Sequence, residues 1–300
     1  MFISSPSDPS GSALHLAQAR LPLIPPVTWL LLPYTLVLIV FLALPLANVL
    51  LMSTFTYSPI MIWTPEFTSA NYRQIFTPYF ATVALRTLRV GITATSICIL
   101  LGYPIAYYLS RCSRRALTVG MFILMLPLMV SAVVGSFGWI VILGRNGLLN
   151  GLLAELGLSA RISILYTESA VVIALVHFLL PLMVMPLMAA IEKIPIRLEE
   201  AAINLGAGPF ASFWLVILPL SRPGLISGVL LCFSIAISVV VTSALLGGRA
   251  GRMVGNEIYE QVVTAVNWPF ASSLATTLVF LIMGCMALSL TASRAGGKSK

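Results

Sequence analysis

PIRLEEAAINLGAGPFASFWLVILPLSRP, Pro195 to Pro223, is a polar stretch set between two long apolar ones. Pro195 can open a helix, since the missing N–H of a first-turn proline costs nothing there. Glu199 and Glu200 fall in the N-terminal half, where the helix dipole favours acids. Ala201 and Ala202 offer a small-residue surface that another backbone can approach closely. Gly206 and Gly208 can take positive φ and stop the helix. Pro209 then opens a second short helix, apolar at Phe210, Phe213, Trp214 and Val216 to Leu218, which Pro219 and Pro223 close. The product is a helix–turn–helix knob. Hairpins that lie on lipid put Lys and Arg on their polar face. This one puts two glutamates there, which favours docking to a protein.

On either side of the knob the charges vanish. A charge at the bilayer centre costs about 2.5–3.5 kcal/mol even on the lenient insertion scale, so long uncharged gaps mark spans of about 20 residues. Six gaps qualify, predicting helices at 30–53, 90–110, 117–143, 170–191, 224–246 and 273–293. The first gap, Arg20 to Glu66, is long enough for two, but its second half holds Thr54, Thr56, Ser58, Pro59, Thr64 and Pro65, which is loop chemistry. Its apolar run exceeds a signal-peptide core of about 7–15 residues, so the first helix is retained. Composition agrees. Charged residues are 9% of the 300 and mean hydropathy is +1.02, against roughly 25% charged in soluble domains. A water-soluble enzyme is excluded.

With both termini in the cytoplasm, the inner segments carry ten Lys/Arg against four acids and the outer loops five against five. That asymmetry fixes the orientation and puts the knob inside. It also accounts for most of the net charge of +8, leaving no case for nucleic acid. The Ser/Pro-rich residues 1–28 read as a tail. Residues 54–81 form the first outer loop and 144–169 the second, with Gly147 to Gly157 a short amphipathic helix.

Much chemistry is missing. The apolar spans hold no Asp, Glu, Lys or Arg, so a carrier's usual intramembrane carboxylate is absent. The two histidines, His15 and His177, make no zinc pair, and no Ser/His/acid set can be assembled, so no catalytic or metal-binding residue is assigned. Cys98, Cys112, Cys232 and Cys285 read as small packing residues. The string Ala292 to Ser299 contains Gly-Lys-Ser but lacks the first glycine of a P-loop and any strand before it. Pro45, Pro104, Pro127, Pro181 and Pro186 fall inside spans, where they kink helices. His177, Tyr103, Tyr107, Phe137 and Trp139 are the candidates to line a path, the rings through cation–π contact.

The knob resembles the EAA signature of permeases from binding-protein-dependent ABC importers: Glu200-Ala201-Ala202, three residues, Gly206, nine residues, then Val216-Ile217-Leu218-Pro219. Val216 stands where the family has isoleucine. The resemblance implies an all-α, six-span, type I (MetI-like) importer permease fold. The tail is 1–28, the first helix and first periplasmic loop 29–81, the permease core 82–293 with its coupling loop at 195–223, and the C-terminal tail 294–300. It implies that Glu199, Glu200, Ala201, Ala202, Gly206, Leu218 and Pro219 couple the chain to a cytoplasmic ATPase dimer. That dimer would hold ATP and Mg²⁺, and this chain no cofactor. A second permease, a paralogue or a copy, would complete the pathway in the bacterial inner membrane, and a periplasmic binding protein would deliver the solute. Leu32 to Pro45, Ser69-Ala70-Asn71-Tyr72, Leu101 to Tyr107 and Gly144 to Asn150 resemble the spermidine/putrescine branch, which implies a polyamine or a related cationic or zwitterionic solute. A secondary carrier, or a structural membrane subunit working without an ATPase, is the alternative.

Overall fold

Helix α1, Pro26–Met52, opens the computed structural model, which describes residues 26–157 and 163–297. The N-terminal tail to residue 25, part of the second outer loop and the last three residues lie outside the described residues. The chain divides into two units after Asn48. The first holds most of α1, whose side chains, among them Leu36, Phe41 and Leu44, are exposed as in a helix bathed by lipid.

The second unit begins with a β-hairpin, β1 Phe55–Ser58 and β2 Ile62–Phe67, with Thr56 opposite Thr64 and Tyr57 opposite Trp63. The expected first outer loop, 54–81, thus contains a short hairpin, in a chain that is otherwise mostly helical. Phe55 stacks on Trp63 at 5.2 Å, a cross-strand pair of the kind that holds small sheets. Helix α2, Ala70–Ile75, follows. Next come α3 Pro78–Arg111, α4 Arg114–Met129, α5 Ala132–Leu143, α6 Leu148–Glu155 and α7 Glu168–Glu192. The knob comprises α8 Ile196–Asn204, α9 Pro209–Ser212, a π-helical turn Phe213–Ile217 and α10 Leu218–Leu220. Helices α11 Arg222–Ser238, α12 Val241–Gly247, α13 Val254–Val263 and α14 Trp268–Gly297 complete it.

Among the described residues, five helical stretches are long and apolar enough to cross a membrane: Pro33–Met52, Pro78–Arg111, Ala132–Glu155, Glu168–Glu192 and Trp268–Ala287. A sixth is a pair bent by 72°, Pro209–Leu220 with Arg222–Ser238. Two expected spans are corrected. The single helix near 117–143 is broken at Val130 and Ser131, both extended, three residues after Pro127. The helix expected over 224–246 stops at Ser238 and restarts as α12. At that break Asn256 Nδ2 donates to the Val240 carbonyl at 3.0 Å, and Ser243 Oγ lies 3.1 Å from that of Val239. Irregular backbone at membrane depth persists only where protein satisfies it, and here protein does.

The core is the packing of α3, α7 and α11. Ala94, Cys98, Leu179, Met183 and Cys232 are fully buried in it. The thiols of Cys98 and Cys232 point at the α7 carbonyls of Val176 and Leu179, which leaves them as packing residues with weak donors. Close approach comes from a small-residue pair four apart on α11, Gly224 and Gly228. A Cβ on Gly224 would sit 2.4 Å from the Pro186 carbonyl oxygen, and one on Gly228 2.8 Å from Met183 Sδ. Gly224→Val should therefore destabilise the folded chain by about 1–3 kcal/mol or more. Gly284→Ala, where an added Cβ meets nothing within 4 Å, should be silent. Thermal unfolding of both variants in detergent checks this.

Candidate functional site

The knob is fixed at its roots and bare at its tip. Ile194 before α8 and Ile217 in the π-helical turn are buried. Leu218 and Pro219 are half-buried beside Ile217, with the Leu218 N–H bonded back to the Phe213 carbonyl in the wide turn. Between the roots, Glu200, Ala201, Ile203, Leu205 and Gly206 are exposed and Ala202 is half-exposed. Leu205 is 89% exposed. Apolar side chains bared on a polar helix mark a contact surface.

The turn follows from the sequence as a closed motif. Gly206 has φ of +89°. Its N–H bonds the Ile203 carbonyl at 2.9 Å, and the Ala207 N–H reaches the Ala202 carbonyl at 3.0 Å. That pair is a Schellman cap, which uses the last carbonyls of α8 and needs a residue content with positive φ. The exposed end of α8 is thus rigid without any tertiary neighbour.

Glu199 behaves unlike its neighbours. It is 8% exposed and points back into the chain. Arg111, at the end of α3, pairs with Glu199 Oε1 and also donates from Nη2 to the Ile194 carbonyl at 3.0 Å. Tyr107 donates to Glu199 Oε2 at 2.8 Å. One turn earlier, Tyr103 hydrogen-bonds Ser221 and packs edge-on against Phe213, with centroids 5.1 Å apart. Of the residues tied to coupling by resemblance, Glu200, Ala201 and Gly206 are exposed, Ala202, Leu218 and Pro219 are partly so, and Glu199 faces α3.

The candidate path residues do not form one group. Tyr103 and Tyr107 bind the knob. Trp139 meets His177 edge-on at 5.6 Å, and Phe137 is 55% exposed on α5. His177 lines a groove of about 600 Å³ between α3, α4 and α7, together with Tyr108 and the prolines Pro104, Pro127 and Pro181. Three of the span prolines therefore gather round one space.

At the opposite end of α3 stands a cluster that the sequence reading missed. Arg86 Nε lies 3.1 Å from Glu168 Oε1, and Arg89 pairs with the same carboxylate. Arg252 lies 2.6 Å from Glu260 and 3.5 Å from Glu257, to which Tyr79 donates at 2.7 Å. The neighbouring Tyr79 side chain, then the carboxylates of Glu260 and Glu257, push the Arg252 pKa up. The Val254 N–H bonds Thr87 Oγ1 at 2.9 Å. The available signal was Arg86 and Arg89 three apart on one helix with Glu168 in the first turn of another.

The other quoted stretches are structural. Asn71 donates to the carbonyls of Ser53 and Phe55, both at 2.9 Å, and Tyr72 bonds Ser53 Oγ at 2.7 Å, closing the base of the β-hairpin. Asn150 donates to the Gly144 carbonyl at 3.0 Å, and a Cβ on Gly147 would sit 2.4 Å from the Val141 carbonyl oxygen. Gly102 lets Met183 of α7 lie against α3.

Broken spans round a tight three-helix core, with a contact knob at the end assigned to the cytoplasm, define a multi-span integral membrane protein. Residues 98–293 match the family described as binding-protein-dependent transport system inner membrane component, and the chain belongs to that family. It is 40% identical over 246 residues to the spermidine/putrescine transport system permease protein PotB of Haemophilus influenzae, covering 82% of this chain and 86% of that one. The Escherichia coli protein of the same description is 35% identical over 252 residues, 84% of this chain and 91% of that one. A crystal structure of a bacterial alginate ABC transporter, in complex with alginate pentasaccharide-bound periplasmic protein, has a chain that superposes with a TM-score of 0.71. That match covers 91% of this chain and 96% of the other at 17% identity, and it shows the shared fold.

Gly206→Val should break the cap, since a β-branched residue at positive φ is disfavoured by about 1 kcal/mol or more. Gly206→Asn should be tolerated far better, because asparagine enters the left-handed region readily. Uptake by cells carrying each variant, at equal membrane abundance, separates the two.

Proposed function

We propose that this chain is one half of the transmembrane pathway of an ATP-driven importer for a polyamine of the spermidine/putrescine class. The observation that carries the proposal is the bare, Schellman-capped α8 with Glu200-Ala201-Ala202 on its exposed face, in a chain 40% identical to a spermidine/putrescine permease. Such a helix presents shape and small side chains to a groove on a cytoplasmic ATPase dimer. ATP and Mg²⁺ are held there, and this chain binds no cofactor of its own. Glu200 makes the polar contact, Ala201 and Ala202 allow close packing, and Gly206 ends the helix before it collides. A second permease, a paralogue of this one, completes the path, and a periplasmic binding protein delivers the solute to the outer loops.

The cargo reading has a chemical side. Ring faces attract ammonium groups by about 0.5–2 kcal/mol, depending on desolvation. Carbonyls freed by span prolines are further acceptors for ammonium N–H. The groove lined by His177 and Tyr108 brings an aromatic side chain together with three of these prolines, Pro104, Pro127 and Pro181.

Mass spectrometry of the complex purified in mild detergent is the test. The expected result is this chain with an ATPase bearing a Walker A motif and a second permease. A stable, reproducible lone chain would return the assignment to a secondary carrier or a structural subunit.

A further inference from the structure

Tyr103, Tyr107 and Arg111 are spaced four apart, so they stack along the last turns of α3 on one face. All three commit polar atoms to the segment from Ile194 to Ser221. Within the knob, Glu199 is buried, while Arg197, Glu200 and Arg222 are exposed. Arg111 reaches it at the cost of leaving Nε buried with no partner among the described residues. A buried ion pair with an orphaned donor is a poor way to gain stability, because apolar residues of like volume serve as well or better. What such a pair supplies is registry: each charge tolerates the interior in one arrangement only. Pro104 sits inside α3 between Tyr103 and Tyr107, at a point where a helix bends readily. The far end of the same helix is held to α7 through Glu168 and to α13 through the Thr87–Val254 bond.

We propose that Glu199, Tyr107 and Arg111 form a strut that fixes the knob in register on α3, so that a push on the exposed face of α8 moves α3 instead of tilting the knob. These are positioning residues, since they touch neither nucleotide nor cargo. Glu200 faces out to the partner, and its neighbour Glu199 faces in to the chain. Two adjacent acids thus divide the work of docking and of transmission. The strut rests on the reading that α8 docks on an ATPase.

The test uses the whole purified complex in proteoliposomes, measuring spermidine uptake and ATP hydrolysis together. Glu199→Gln should keep the ATPase bound while uptake per ATP falls about tenfold, within the usual range of coupling between sites. The reversed pair, Glu199→Arg with Arg111→Glu, should restore most of the loss. Tyr107→Phe, which keeps the ion pair, should give a smaller fall in the same ratio and remains informative if Glu199→Gln does not assemble. Unchanged uptake per ATP in assembled Glu199→Gln or Tyr107→Phe complexes would overturn the strut alone. So would a loss of uptake that merely tracks the amount of complex. A wild-type chain that purifies without any ATPase would overturn the docking reading and the strut together.

Discussion

Lipid offers no hydrogen bonds, so every backbone group released inside it has to be claimed by protein. The irregularities of this chain are arranged round that requirement. The break after Ser238 is spanned by Asn256 and Ser243. Asn256 Oδ1 in turn accepts from Ser243 Oγ at 2.7 Å and from the Met253 N–H at 3.1 Å, so one side chain ties the start of α13 to the gap between α11 and α12. Ser136 on α5 reaches Thr242 on α12 at 3.5 Å, drawing a further helix to the same place. A fold with broken spans needs such neighbours beside each break, and this packs α5, α12 and α13 against the central helices.

Local rules made the knob legible. Pro195, Gly206 and Pro209 punctuate the chain through their own backbone preferences, and the structure places helix, cap and second helix where those preferences put them. Glu199 is different. Its partner Arg111 is 88 residues away, and nothing local separates an inward glutamate from the outward one beside it. The breaks at Val130 and Val239 were hidden for another reason. Valine is equally apolar in a helix and in an extended turn, so a charge-gap reading runs straight through. The β-hairpin reads as loop because Thr56, Ser58, Pro59, Thr64 and Pro65 punctuate it. Its Phe55, Tyr57 and Trp63 are the aromatic strand formers that would have argued for pairing. The outer cluster was hidden for the same reason as Glu199, since Glu168 lies 82 residues from Arg86 and 79 from Arg89.

Helix α3 carries polar attachments at both ends and apolar packing between them. Val90, Ala94, Cys98 and Ala106 are nearly or wholly inaccessible along its middle. A 34-residue helix is about 51 Å long, more than the hydrocarbon core requires. Its ends therefore reach past that core on both sides, where ion pairs and tyrosine hydroxyls escape the penalty of the bilayer centre. The charges that composition lacks are spent at these two places.

The bare tip of the knob also bears on how such a subunit is kept in proportion to its companions. Leu205, Ile203, Phe210 and Leu215 stand uncovered in the isolated chain. Exposed apolar patches of this sort are what chaperones and proteases of the quality-control machinery respond to. A copy synthesised in excess would display them continuously, and one that has found its assembly would not. On the proposed docking of α8, the same surface doubles as a flag of being orphaned, and turnover can enforce stoichiometry without any dedicated signal.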